Sequence, residues 1–247
     1  MYDLVQMFLS VSFKILPLLL AMVLHEYAHG WVAAKCGDLT ATREGRLTLN
    51  PLAHIDPFGT IIMPILCLIL PGGFLFGWAK PVPINPRNMG RPRRDMALVA
   101  AAGPLMNLTL AIISGVILGL VLSIDPALTA QESRGTIEEL ERPLTGLFLF
   151  PLAVMAFYSI LVNVLLGIFN LIPIPPLDGG RILVSLLPPG PALALIRLEP
   201  YGMLILVGLL VFDRELRVIH TITSTVASGI SGTILSAAIG WSEGMSP

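Results

Sequence analysis

Two histidines four residues apart, His25 and His29, bracket a glutamate in the stretch Leu24-His25-Glu26-Tyr27-Ala28-His29. On a helix, positions i and i+4 fall on nearly one face, so both imidazoles can reach a single metal ion. Glu26 points beside that pair, where a carboxylate can hold a water and take its proton. The setting is unusual. The motif lies within an otherwise apolar run from Ile15 to Ala34, close to the ~20 residues that one helical crossing of a bilayer core needs. Ionisable groups in such a segment are costly and mark function. In soluble proteins this pattern makes zinc hydrolases; here the zinc would be bound inside a membrane.

A catalytic zinc commonly takes three protein ligands and leaves one position open. The histidine pair therefore needs a partner, and the candidates near the same end of the helices are Asp178, His54, Asp38, Glu44 and Asp56. Asp178 is favoured by rigidity. It follows Pro173, Pro175 and Pro176, which hold the chain extended, and precedes Gly179-Gly180, which allows close backbone approach. An aspartate before a helix is also a common N-cap, so a capping reading of Asp178 stands beside the ligand reading. His54 reads as a hydrogen-bonded loop histidine or as a group near the site. Asn107 follows the pair Gly103-Pro104, expected to bend a helix, and its amide suits an interhelical hydrogen bond.

Positioning these residues requires a membrane protein. Of 247 residues, 55% are hydrophobic and 13% charged, with a mean hydropathy of +0.83; soluble domains carry about 25% charge. The formal net charge of −1 leaves no nucleic-acid footprint. Cys36 and Cys67 make no disulfide framework. Apolar segments cover about 7–35, 58–70, 96–123, 146–171, 192–212 and 218–239. Lys14 and Pro17 place the start of the first continuous helix near Ile15, because proline fits a first turn, and Gly37-Asp38 ends it. In the connector, Thr40-Ala41-Thr42 and Leu47-Thr48-Leu49 alternate as short strands would. Phe74–Pro83 is apolar, aromatic and rich in Gly and Pro. It reads as a re-entrant loop or hairpin, with an edge that an extended substrate could pair with. Arg87, Arg91, Arg93 and Arg94 put that end in the cytoplasm, and the acidic stretch 124–145 on the other side. Counting crossings, Asp178 returns to the side of the histidine pair. The expected fold is an all-α polytopic membrane protein, with about six transmembrane or partly embedded helices and a short re-entrant β-hairpin. It forms one domain over 1–247, with the catalytic core at about 7–188 and C-terminal helices at about 192–240.

Taken together, His25-Glu26-x-x-His29 and Asn170-x-x-Pro173-x-Pro175-x-x-Asp178-Gly179 resemble the site-2 protease family of intramembrane zinc metalloproteases. Gly45-Arg46-Leu47-Thr48-Leu49-Asn50-Pro51 and Gly103-Pro104-x-x-Asn107 match its bacterial members. The likeness is to the short type without PDZ or CBS domains and covers most of residues 20–185. It implies one zinc ion per chain on His25, His29 and Asp178, with Glu26 as general base. Asn170 and Asn107 would contact the substrate backbone or the oxyanion. The implied partner is a transmembrane protein substrate, and the implied location is the bacterial cytoplasmic membrane with the site toward the cytoplasm. The rival is a non-proteolytic membrane metal-binding protein or transporter using the same residues. Glu26 weighs against it, since a pure metal site has no use for a carboxylate between the histidines.

Overall fold

A computed structural model describes residues 2–62, 78–126, 128, 145–202, 204, 205, 208 and 218–245. Seven α-helices are found among them: α1 (Tyr2–Lys35), α2 (Thr40–Arg43), α3 (Pro92–Ile124), α4 (Phe150–Asn170), α5 (Asp178–Leu186), α6 (Pro189–Leu198) and α7 (Val218–Met245). Among the described residues, three stretches are long and apolar enough to cross a membrane, namely Ser12–Lys35, Pro92–Ile124 and Leu147–Asn170. The chain is an all-α polytopic membrane protein. It divides into two compact units, Met1–Ala21 with Leu105–Asn170 and Leu204–Pro247, and Met22–Pro104 with Leu171–Met203.

In the first unit, α3 and α4 bury Ala111, Leu118, Leu122, Ala156, Ile160 and Val164 as one apolar core. α7 packs on it through Ile230, Ile234 and Leu235. Two glycines four apart on α3 make room for α7. A Cβ on Gly115 would lie 2.5 Å from Ile234 Cγ2, and one on Gly119 would lie 2.7 Å from Trp241 Cε3 and 3.1 Å from the Ala238 carbonyl. Small residues let helix backbones approach where lipid provides no hydrophobic drive. The same unit carries a buried polar ladder. Asn107 Nδ2 donates to Asn163 Oδ1 at 2.8 Å, Asn163 Nδ2 to the Ser159 carbonyl at 2.9 Å, and Ser114 Oγ to Ser159 Oγ at 2.8 Å.

In the second unit, α1 ends as expected at Gly37. Gly37 has φ +104°, its N–H reaches the Ala34 carbonyl, and the Asp38 N–H reaches the Ala33 carbonyl. That pairing closes the last carbonyls of the helix. Asp38 is 1% exposed and fully engaged. It accepts from the Thr40 N–H, the Thr40 hydroxyl, the Asn88 amide and the Asn85 N–H, and so ties the end of α1 to residues 85–88.

Three expectations change. The first helix does not begin at Ile15: α1 starts at Tyr2, with Pro17 inside it. Pro17 itself is buried against neighbouring protein, where a membrane helix tolerates one lost backbone bond. The Thr40-Ala41-Thr42 alternation is a single helical turn rather than a strand, because Asp38 captures Thr40 locally. Leu47-Thr48-Leu49 is irregular for the same kind of reason: Asn50 takes the Leu52 N–H and opens a 3₁₀ turn, Pro51–His54. Of the hairpin expected at Phe74–Pro83, residues 74–77 lie outside the described residues, and the described part, 78–83, is irregular without strand pairing. The second apolar segment beyond Ile62 and most of 124–145 also lie outside the described residues.

Two predictions arise. Gly119→Leu should unseat α7 and lower stability by about 1–3 kcal/mol, as overpacking does, whereas Gly240→Leu, which faces open space, should leave the melting temperature in detergent unchanged. The second concerns acid. Burial raises the Asp38 carboxyl, but hydrogen bonds from Thr40, Asn85 and Asn88 outweigh it and hold the group below its usual value. The stability it adds is complete above the unfolded value of about 3.9 and is lost as pH falls through the lower folded value. Melting curves across that range should show a shallower acid limb in Asp38→Asn.

Candidate metal centre

Three side chains from two segments distant in sequence converge within the second unit. His25 Nε2 and His29 Nε2 lie 3.0 Å apart, and each lies 3.2 Å from Asp178 Oδ2. All three residues are buried, at 8%, 4% and 6% exposure. The histidines owe their pairing to the i, i+4 spacing on α1. Asp178 arrives by a different route. The loop 171–177 folds tightly, with the Ile174 N–H on the Ile172 carbonyl and the Leu177 N–H on the Ile174 carbonyl. Its backbone then presses on the start of α5. A Cβ on Gly179 would strike the Leu171 carbonyl, and one on Gly180 would come 2.6 Å from Pro175 N. Gly202 adds a third close approach, 2.9 Å from the Pro175 backbone. These glycines are what let the proline-stiffened loop deliver Asp178 to the histidines.

The N-cap of α5 is Leu177, with no side-chain capping bond, and Asp178 occupies the first helical position. Its carboxylate turns to the imidazoles rather than to the helix end. His29 Nδ1 lies 2.7 Å from the Val99 carbonyl on α3. A carbonyl only accepts, so Nδ1 carries the hydrogen and Nε2 of the neutral ring presents its lone pair to the cluster. Asp178 Oδ2 is buried without a hydrogen-bond donor. A carboxylate buried among imidazoles has to be matched by positive charge, and a cation held among the three supplies it. Ligand atoms about 2.0 Å from a tetrahedral zinc stand about 3.3 Å apart, near the separations found here. The donor set, two nitrogens and one carboxylate oxygen, also suits zinc.

Glu26 is half-buried beside this cluster, with Oε2 accepting the Val82 N–H at 2.9 Å. The other candidate ligands are engaged elsewhere. Asp38 serves the turn described above. His54 is buried, with Nε2 2.9 Å from the Thr48 carbonyl. Asp56 accepts from the N–H groups of Phe58 and Gly59, and Glu44 is exposed. Asn107 is fully buried in the first unit, its amide committed to Asn163 and to the Ala21 carbonyl, as an interhelical contact would have it. Asn170 ends α4 in the same unit and donates to the Leu166 carbonyl at 3.0 Å.

Sequence reasoning missed three participants. Val99 and Val82 act through backbone atoms, which leave no mark in residue type. Gly103 was visible only as half of a Gly-Pro pair expected to bend its helix. α3 runs unbroken through that pair, and what Gly103 provides is space. A Cβ there would lie 2.6 Å from His25 Nε2 and closer still to His29 Nε2.

Comparison with known proteins identifies related chains. Residues 13–192 match peptidase family M50. The chain is 40% identical over 203 residues to "Putative zinc metalloprotease YwhC" of Bacillus subtilis (strain 168), covering 81% of each chain. It is 32% identical over 194 residues to "Putative zinc metalloprotease Rip2" of Mycolicibacterium smegmatis, covering 78% of this chain and 64% of that one. A Rip2 of Mycobacterium tuberculosis (strain H37Rv) is 30% identical over 191 residues, covering 77% of this chain and 63% of the relative. No solved structure matches.

The close approach at Gly103 makes a sharp prediction. Gly103→Ala should push the imidazoles apart and lower bound metal per chain, measured by elemental analysis of purified protein. Gly90→Ala, at an exposed glycine with open space around it, should retain the metal.

Proposed function

Because the chain belongs to peptidase family M50, the site-2 protease family, we propose that it is an intramembrane zinc endopeptidase hydrolysing a peptide bond within a transmembrane segment of another membrane protein. One zinc ion per chain is held by His25, His29 and Asp178. When bound there, zinc supplies Lewis acidity toward water and a peptide carbonyl. The observation that carries this reading is the meeting of three buried donor atoms at 3.0–3.2 Å with Glu26 alongside.

The chain's own groups divide the remaining work. Glu26 takes a proton from the attacking water as the water oxygen bonds to the carbonyl carbon. It returns that proton to the leaving amine as the C–N bond breaks. The Val82 N–H keeps the Glu26 carboxylate turned to the site, and the Val99 carbonyl fixes the ring of His29. Asn170 is assigned a substrate contact on the resemblance alone. A helical peptide bond is shielded by its own hydrogen bonds, so the substrate must unwind before attack. The site belongs to the cytoplasmic side of a bacterial inner membrane. The support for that is the basic set Lys35, Arg43, Arg87, Arg91, Arg93 and Arg94 near the ends of α1 and α3.

The test uses purified protein and a model transmembrane substrate. Glu26→Gln should keep zinc and lose cleavage by a factor of about 10² or more, whereas Asp178→Ala should lose zinc. Full cleavage by Glu26→Gln would sink the mechanism. Zinc bound by the wild-type protein without cleavage of any membrane substrate would favour the metal-binding or transport alternative.

A further inference from the structure

Residues 78–85 form no helix or strand, and their backbone donors are directed to definite places. The Trp78 N–H reaches the Gly59 carbonyl at 3.1 Å, and the Lys80 N–H reaches the His54 carbonyl at 2.9 Å. The Val82 N–H reaches Glu26 Oε2 at 2.9 Å. Pro81 and Pro83 have no N–H, and each holds the residue before it extended. Lys80-Pro81-Val82-Pro83 is therefore a stiff rod with one donor in its middle, aimed at Glu26. Val82 is buried and seats over Gly30, where an added Cβ would lie 3.1 Å from Val82 Cγ1. Gly30 is four residues beyond Glu26, on the same face of α1. The rod thus crosses α1 at Gly30 and meets the carboxylate one turn earlier.

What holds the rod at that height is Arg46. Its guanidinium donates to three carbonyls, those of Ala53, of Lys80 at 2.9 Å and of Pro81 at 3.1 Å. Two of these lie on the rod, on the two residues just before Val82. Arg46 Nε is buried with no hydrogen-bond partner. Arg46 as a whole is only half-buried, so the loss falls on Nε alone, and the fork of carbonyl contacts offsets it. A lysine could not span the three acceptors, because it lacks the planar fork.

We propose that Arg46 is a positioning residue for Glu26: by fixing the carbonyls of Lys80 and Pro81 it sets the Val82 N–H, which in turn fixes the carboxylate. Arg46 touches neither the metal ligands nor Glu26. The inference rests on Glu26 being the general base, and it has a mechanical half that stands apart from that reading.

The experiment uses the full chain in lipid nanodiscs, with hydrogen exchange, zinc content and steady-state cleavage of one model transmembrane substrate as readouts. Arg46→Gln should speed exchange of the amides in 78–82 and lower kcat by roughly tenfold or more, with KM and zinc per chain unchanged. Arg46→Lys keeps the charge without the fork and should fall between the two; it is judged by the same criteria if Arg46→Gln does not accumulate. Glu26→Ala should speed exchange at Val82 while Trp78 and Lys80 stay protected, whether or not the protein cleaves anything. Unchanged exchange or unchanged kcat in Arg46→Gln overturns the proposal. So does a loss of zinc in step with kcat, which would mark a purely structural role. If the exchange pattern holds but the wild-type protein cleaves no membrane substrate, the link from Arg46 to Glu26 stands and the reading of Glu26 as a protease base fails.

Discussion

Two imidazole nitrogens and a carboxylate oxygen face one another out of water at His25, His29 and Asp178, and the second unit holds them there. Left alone, such a cluster would relax: the rings would rotate, or the carboxylate would seek a donor. It does not, because His29 and Asp178 are held from behind and His25 is confined beside them. The Val99 carbonyl locks the His29 ring. The glycines at 179, 180 and 202 let the loop backbone press so closely that Asp178 has little freedom to withdraw. Gly103 leaves the imidazoles just enough room. Restraint of this kind is expected around a cation site and has no purpose in an ordinary helix contact.

The first unit provides the contrast. It also buries polar side chains in apolar helices, yet Asn107, Asn163, Ser159 and Ser114 hand hydrogen bonds from one to the next, each donor meeting an acceptor. That is how a helix bundle uses amides and hydroxyls to fix its packing in lipid. The cluster of His25, His29 and Asp178 differs, because a buried carboxylate oxygen there meets two imidazole nitrogens and no amide or hydroxyl donor.

Much of the site was legible from residue types. The histidine spacing needs only helical periodicity, and the placing of Asp178 needed only a count of crossings and the stiffness of Pro173, Pro175 and Pro176. The class of fold followed from hydropathy. What escaped falls under two physical causes. Local side-chain bonds override pattern: Asp38 turned an apparent strand at Thr40 into a helical turn, and Asn50 did the like at Leu52. Proximity is also invisible until elements are packed. Nothing in Gly103-Pro104 says that the helix passes against two imidazoles, and nothing in valine says that its N–H or C=O will orient a neighbour. Pro17 misled because the rule confining proline to a first turn is weaker in a membrane-crossing helix.

The length of α1 has its own consequence. Its 34 residues extend about 51 Å, well beyond a hydrocarbon core of about 30 Å. The helix must lean or protrude. His29 and His25 stand six and ten residues before its last residue, Lys35, or about 9 and 15 Å along the axis. The histidine pair is thus registered to the end of a helix that Gly37 and Asp38 terminate firmly, not to the middle of the lipid. A thicker or thinner membrane would shift the lipid boundary along α1 while the distance from the pair to Lys35 stayed fixed.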